Sequence, residues 1–504
     1  MVYTIFPDEM KALESEYMSR HQIPSLLLME LAAQGIVRAM LRHAAQDAGC
    51  IFLCGPGNNG GDGYAAARIW HDQGGRALLV ELTDAPSTPD ARINRNLCME
   101  RGIPAIAADA FPDSLPWLPA LAVDAVYGTG FHGCLNEQAA RLFDWIHSSG
   151  IPAIAVDIPS GLNGMDGSAS AHTLRAVETV TFHRPKTGLY LAQGPAYTGN
   201  VTVHPILIPK ETGCSGLACM EPADLSVVLS RRSPLSHKGS FGRIVLYCGH
   251  PGMAGAAAMA ARACVKSGAG LVTLVCSEIL LPVLQTLVPA AMCIPLRSSG
   301  SAWETESLQA AETAFQSADV IITGCGLGQD PIHLAVLEKL RHISCPVIWD
   351  ADALNLMARH PEWLPLKTED FITPHPGEAA RLLGTDTGWI TGNSLQALER
   401  LQAVTGCSVL LKGARSLMQS GASAAVNVYT SPALARGGSG DMLCGILAAC
   451  LARRLPALQA MQTACLIHGL AAVRAAAQYG EDCATPEDIL SCIRLDATGL
   501  PSGI

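Results

Sequence analysis

The chain has 504 residues, 49% of them hydrophobic and 15% charged, with 48 glycines and a formal net charge of −10. That length exceeds one ordinary core and calls for about two to four domains; the acidic balance excludes non-specific nucleic-acid binding, and no apolar run reaches membrane-spanning length. The 18 cysteines form no C-x-x-C pair and show no zinc-ligand spacing, so they read as small core residues of a reducing compartment. The N-terminus carries acids early and lacks an apolar signal core, which points to a cytoplasmic protein.

Residues 7–45 read as helices, with Leu26, Leu27, Leu28, Leu31, Ile36 and Met40 as the buried positions. Ile51-Phe52-Leu53-Cys54 is a short apolar run typical of a buried parallel strand. It leads into a glycine loop, Gly55-Pro56-Gly57-Asn58-Asn59-Gly60-Gly61-Asp62-Gly63, and then a helix over 64–70. Strand, glycine loop and helix in that order put a phosphate or pyrophosphate on a helix N-terminus. The loop departs from G-x-G-x-x-G, because Asn58, Asn59 and Asp62 crowd it with polar groups that suit a carboxamide or ribose as well.

Later apolar runs end in acids. The run 77–80 ends in Glu81, Leu121-Ala122-Val123 in Asp124, and Ile154-Ala155-Val156 in Asp157, the last two just before glycine-containing loops. Ligands bind outside the carboxyl ends of strands in open α/β sheets. These acids and the loop at 55–63 therefore outline one site, although each acid alone reads as a loop cap. Strands over 179–182 and 200–203 follow, with Lys186-Thr187-Gly188-Leu189 between them. Composition shifts to Gly, Ser, Cys and acids over 209–225, where the domain boundary is expected.

The second half repeats the strand–loop–helix rhythm. Strand 243–247 precedes a loop, 249–255, and an Ala-rich helix from Ala256 to about Ser267. Strand 320–323 runs into Gly324-Cys325-Gly326-Leu327-Gly328, and 347–349 into Asp350-Ala351-Asp352. Strand 371–373 runs into Pro374-His375-Pro376-Gly377-Glu378, and 409–411 into Lys412-Gly413-Ala414-Arg415-Ser416. Such units make a parallel sheet with its site along one edge, where His375, Lys412 and Asp441 converge. Gly437-Gly438-Ser439-Gly440-Asp441 then feeds the apolar run 442–452. Glycines there admit close backbone approach, a helix N-terminus attracts an anion, and Asp441 is placed to accept a proton. The combination suits phosphoryl transfer; the plainer reading makes Asp441 an N-cap.

Taken together, residues 58–63, 124–130 and Asp157-Ile158-Pro159-Ser160-Gly161-Leu162-Asn163 resemble the NAD(P)HX epimerase domain. Thr373-Pro374-His375-Pro376-Gly377-Glu378 and 437–441 resemble the NAD(P)HX dehydratase, a ribokinase-like fold, in the order of the fused repair enzymes. The resemblance implies an α/β protein of two domains. One, over 1–215, is a Rossmann-like three-layer α/β/α epimerase domain; the other, over 225–504, is a ribokinase-like α/β dehydratase domain with a mostly parallel sheet. It implies an isomerase and a lyase in one chain, interconverting the R and S forms of hydrated NADH or NADPH and dehydrating the S form with ADP or ATP.

In the first site the resemblance implies potassium held by Asn59, Asp124 and Ser160. The hydrate would be contacted by Asn58, Asn59, Gly60, Gly61 and Asp62, by Gly128, Thr129, Gly130, Phe131, His132, Gly133 and Cys134, and by Asp157, which is also a catalytic candidate. In the second it implies Asp441 as the base and Lys412, Gly413, Ala414, Arg415, Ser416 and Gly440 on the nucleotide. Ala256, Gly328, His375 and Asp441 would touch the hydrate, and magnesium would accompany the nucleotide. The family usually has a Gly-Asn-Pro-Gly-Met-like stretch where this chain has Thr430-Ser431-Pro432-Ala433-Leu434, a departure that bears on the nucleotide loop. Implied partners are small molecules and further copies of the chain in a homo-oligomer, with no nucleic acid and no membrane. An alternative reading is a ribokinase-like kinase of a vitamin-precursor alcohol with an accessory nucleotide-binding domain. A non-enzymatic one is a dinucleotide sensor.

Overall fold

The computed structural model describes residues 2–498 apart from 112–114, 116, 214–215, 230–231, 300–301 and 497. The chain divides into two compact units, Tyr3–Leu217 and Ala218–Ile504, the second together with Met1–Val2. The domain limits expected at 215 and 504 lie outside the described residues.

In the first unit, helices α1 (Pro7–His21) and α2 (Ser25–His43) precede strand β1 (Gly49–Cys54), helix α3 (Asn58–Asp72), β2 (Arg76–Glu81), α4 (Pro89–Glu100) and β3 (Ala105–Ala107). Then come β4 (Leu121–Ala125), α5 (Glu137–Ser149), β5 (Ala153–Val156), β6 (Glu178–Phe182) and β7 (Asn200–His204). All neighbours pair in parallel, in the order β3-β2-β1-β4-β5-β6-β7. Alternate strand residues face opposite layers, as a pleated sheet requires. Phe52, Leu79 and Val123 pack with Met40 and Trp70 on one face, and Ile51, Leu53 and Val80 pack with Leu142, Phe143 and Ile146 of α5 on the other. This is a doubly wound three-layer unit. Its strand order reverses between β1 and β4, and the crevice beyond their carboxyl ends is where such sheets bind ligands.

Of the expected buried face of α2, Leu28, Ile36 and Met40 are buried, whereas Leu27 is 45% exposed. Leu26 and Leu31 are only partly covered. A 3.6-residue period cannot bring three consecutive leucines to one face.

The second unit contains β8 (Arg243–Tyr247), α6 (Ala254–Lys266), β9 (Leu271–Ser277), β10 (Met292–Leu296), β11 (Val320–Thr323), β12 (Val347–Trp349), α7 (Ala351–Arg359), β13 (Phe371–Ile372) and α8 (Pro376–Leu383). β14 (Ser408–Leu411), β15 (Leu417–Ser420), β16 (Ser423–Val426), α9 (Ser439–Ala452) and α10 (Ala457–Tyr479) follow. A parallel run, β14-β13-β12-β11-β8-β9-β10, is extended beyond β14 by the antiparallel strands β15 and β16. Helix α9 is apolar on every side and almost wholly buried, as such a helix must be. It lies against α6 so closely that a methyl group at Gly445 would stand 2.3 Å from the Ala260 carbonyl oxygen. Among the described residues no helix is long and apolar enough to cross a membrane.

Candidate active sites

The first site lies at the switch point between β1 and β4. Sequence reading puts a loop over 55–63, but α3 begins at Asn58, with Gly57 as its N-cap. The glycines serve packing more than bending. A methyl at Gly60 would stand 2.0 Å from the Gly55 carbonyl oxygen, and one at Gly61 would stand 2.5 Å from the Met29 methyl. Asn58, Asn59, Gly60, Gly61 and Asp62 thus form the first turns of a helix pressed onto its own strand, with its N-terminus at the crevice.

Asp124, inside β4, is fully buried. Its carboxylate accepts from the Ser160 N–H at 2.7 Å, the Ser160 hydroxyl at 2.6 Å and the Val126 N–H at 3.2 Å. Burial pushes its carboxyl up to about 6 against those hydrogen bonds. Asn59 stands against Gly128, where a Cβ would meet its amide carbon at 3.2 Å, and its Nδ2 is buried without a partner. Asn59, Asp124 and Ser160 therefore meet around the backbone of 126–128. The stretch 128–134 continues from there; Phe131 is buried, and His132, Gly133 and Cys134 are exposed.

Asp157 follows β5 with a φ of +65°, a left-handed conformation that costs a non-glycine residue energy and is found mostly where function demands it. Its Oδ1 accepts from Lys186 Nζ at 2.5 Å and Thr181 Oγ1 at 2.8 Å. Lys186 is almost wholly buried, and its ammonium also donates to the Phe182 carbonyl at 3.2 Å. Two further acids complete the cluster. Burial raises Glu14 of α1 to about 7, with Lys186 pulling down and Asp157 pushing up. Burial, then Asp157 and Glu14, raise the Asp62 carboxyl well above the usual range. Sequence reading passed over Glu14 and gave Lys186 no role.

The second site is built on the start of α9. Gly438, at φ +95°, is the N-cap, so Asp441 sits in the first turn and is not the cap that the plainer reading allows. Burial, reinforced by Asp350, pushes Asp441 up to about 6, against the Cys325 thiol and Lys412. Lys412 Nζ donates to Asp350 Oδ1 at 2.7 Å, and that oxygen also accepts from Thr373 Oγ1 at 2.8 Å. Burial alone would lower Lys412, but Asp350 and Glu378 outweigh it and hold the ammonium charged. A Cβ on Gly440 would come 3.3 Å from that Nζ. Glycine at 440 is what lets the cation reach the helix N-terminus.

A cavity of about 420 Å³ opens on one side of this turn, lined by His375, Lys412, Gly413, Ser416 and the glycine turn among others. Ala414 and Arg415 belong to the same loop but not to the lining. His375 caps α8, its Nδ1 accepting from the Gly377 N–H at 2.9 Å. Asp441 is on the other side, toward Cys325 and Asp350. Ala256 and Gly328 border the loop that carries Cys325. A Cβ on Gly326 would stand 2.8 Å from Ala256, and the Gly328 N–H donates to Asp352 at 2.8 Å. In the departing stretch, Ser431 closes the turn Pro432–Leu434 by accepting from the Ala433 N–H at 3.2 Å. None of 430–434 has positive φ, so the missing glycines are not needed for this shape. Arg436 is tied to the Asp482 carbonyl.

A family profile described as NAD(P)H-hydrate dehydratase matches residues 244–495, and one described as YjeF-related protein N-terminus matches 25–188. The chain is 36% identical over 453 residues to a bifunctional NAD(P)H-hydrate repair enzyme of Escherichia coli, covering 88% of this chain and 84% of that protein. It is 32% identical to the protein of the same name in Coxiella burnetii, covering 93% and 94%. Among solved structures, a ribokinase-like superfamily protein from Enterococcus faecalis superposes with a TM-score of 0.50 at 27% identity, covering 55% of this chain and 94% of that one.

Proposed function

The chain belongs to the family of bifunctional NAD(P)H-hydrate repair enzymes, and from that premise we propose how its two units divide the work. The unit Tyr3–Leu217 interconverts the R and S forms of hydrated NADH and NADPH. The unit holding 218–504 dehydrates the S form with ADP as phosphoryl donor, leaving AMP and phosphate. The observation that carries this reading is the two-sided start of α9, with a cavity against its glycines on one side and Asp441 beside Cys325 and Asp350 on the other.

Water leaves carbon poorly, so the hydroxyl is first phosphorylated. Asp441 takes the hydroxyl proton, and the oxygen attacks the β-phosphorus of ADP as the bond to AMP breaks. Lys412 and the N–H groups of 438–440 steady the charge on the moving phosphoryl group. Phosphate then departs with the carbon–oxygen bond pair, and loss of a proton from the neighbouring ring carbon restores the double bond.

In the first unit, Asp157 and Lys186 form the ion pair that faces the hydrate. Glu14 and Asp62, both raised by burial, supply protons. Inverting the hydroxyl-bearing carbon requires its bond to oxygen or nitrogen to open and re-form on the opposite face, and a proton donor and a proton acceptor assist the opening and the closing. Potassium fits the residues beside this cluster. Asp124 is a buried carboxylate whose hydrogen-bond partners among the described residues are all neutral, and the amide and hydroxyl of Asn59 and Ser160 are hard oxygen donors. When bound there, the cation offsets the Asp124 charge and fixes the loops around it.

Magnesium has no comparable cage among the described residues. The one cluster spaced for a metal joins Cys325, Asp350 and Cys444 within 4.8 Å, two soft thiols and a carboxylate already paired with Lys412. That set does not fit a hard cation, and no step above passes through it.

The test supplies pure (S)-NADHX and ADP. One AMP accompanies each NADH formed, and the rate falls as pH drops through about 6, because below it the Asp441 carboxyl keeps its own proton. NADH without AMP, or a rate indifferent to pH across that range, contradicts the proposal.

A further inference from the structure

The cavity beside α9 is lined by two residues with buried polar groups that have no hydrogen-bond partner among the described residues, and they belong to different elements. The Ser439 hydroxyl, in the first turn of α9, has no hydrogen-bond partner, and neither has Nε2 of His468 on α10. His468 is 6% exposed and is among the residues that line this cavity. Buried polar atoms are nearly always paired, and each exception needs an explanation. Two exceptions in one cavity point to one ligand with polar groups at two places.

Those places differ in character. Ser439 shares its turn with Gly440 and the Lys412 ammonium, which is the end that takes an anion. His468 lies one turn along α10 from Cys465, whose carbonyl takes the Asn427 amide, and both of those residues line the cavity with it. The Asn427 amide nitrogen is already committed to the Tyr429 carbonyl at 2.7 Å and the Cys465 carbonyl at 3.3 Å, which leaves the imidazole as the uncommitted side-chain nitrogen beside it. Its position is fixed from behind. A methyl on the next residue, Gly469, would stand 1.9 Å from the Tyr429 carbonyl oxygen, so α10 has no room to withdraw. Burial lowers the ring to about 4 and keeps it neutral at physiological pH. Apolar faces with one neutral hydrogen-bonding edge suit a heterocyclic base and offer nothing to a phosphate.

We propose that His468 recognises the base of the nucleoside diphosphate, hydrogen-bonding its edge through Nε2, while Ser439 and the α9 N-terminus hold the phosphates. This rests on the cavity being the nucleotide site of the dehydratase, and it adds a specificity residue outside the Lys412–Ser416 loop and the glycine turn. The hydrogen bond separates ligands that carry a base from those that do not.

Calorimetric titration of the full chain with ADP and with inorganic pyrophosphate reads that separation without any turnover. In His468→Leu the Kd for ADP rises about tenfold, the scale of one buried hydrogen bond, while pyrophosphate affinity stays within about twofold. His468→Gln, which keeps a hydrogen-bonding group, falls between and gives the same split should the leucine variant fold poorly. Unchanged ADP affinity in both variants overturns the inference, and so does equal weakening of ADP and pyrophosphate, which marks a cavity that has merely collapsed. Wild-type chain that binds ADP yet forms no NADH from the S hydrate sinks the dehydratase reading instead, and leaves the comparison of affinities intact.

Discussion

Asp441→Asn loses formation of NADH from the S hydrate by roughly 10²–10⁴-fold, the usual contribution of a positioned base, while ADP binds within a fewfold of the wild type. On the proposed reading backbone N–H groups and Lys412 hold the phosphates, and the substitution removes neither. Loss of fold is not the cause to expect. Asp441 is a partly buried carboxylate pushed up to about 6 by desolvation and by Asp350, so a neutral isostere removes repulsion from the site. Thermal unfolding of the variant should match or exceed that of the wild type. This result also separates an enzyme from a dinucleotide sensor, whose behaviour would be indifferent to the lost carboxylate. NADH formed at the wild-type rate by Asp441→Asn removes the base from the account.

The second large effect belongs to the other unit. Asp157→Asn slows consumption of the R hydrate by roughly 10²–10⁴-fold and leaves turnover of pure S hydrate alone, since the dehydration chemistry uses none of these groups. Asparagine preserves an oxygen for Thr181 and Lys186 but removes the countercharge of an ammonium that is almost wholly buried. Stability falls too, by up to about 3–5 kcal/mol for an uncompensated buried charge, so the assay belongs well below the variant's melting temperature. Wild-type consumption of the R hydrate by a folded variant would leave Asp157 a structural ion-pair partner only.

The charged residues at strand ends are legible because a parallel sheet has one ligand-binding edge, and Asp124, Asp157, Asp350 and Lys412 all fall where short apolar runs stop. Asp441 was legible as chemistry but ambiguous as geometry; only the left-handed Gly438 shows that the cap position is already filled. A loop over 55–63 is what the sequence suggests and a helix from Asn58 is what forms, because a glycine needed for close packing looks the same in sequence as one needed for a turn. Glu14 was invisible. It lies in a polar helix among Glu9 and Glu16, and nothing but burial beside Asp157 and Lys186 distinguishes it. Lys186 shares its stretch with His183 and Arg184, so nothing in the sequence singles it out, and its pairing with Asp157 spans 29 residues and depends on β6 lying beside β5. His468 carries no motif at all, and its unpaired nitrogen emerges only when α10 is set against the cavity.

The central claim is that one chain both interconverts the hydrates and dehydrates one of them. The measurement that tests it adds purified chain and ADP to an equal mixture of R and S NADHX and follows NADH absorbance. The account predicts that the whole of the hydrate returns to NADH, with no pause at the midpoint beyond what the ratio of the two rates imposes. A reaction that stops with the S form consumed and the R form left to its spontaneous conversion would contradict it.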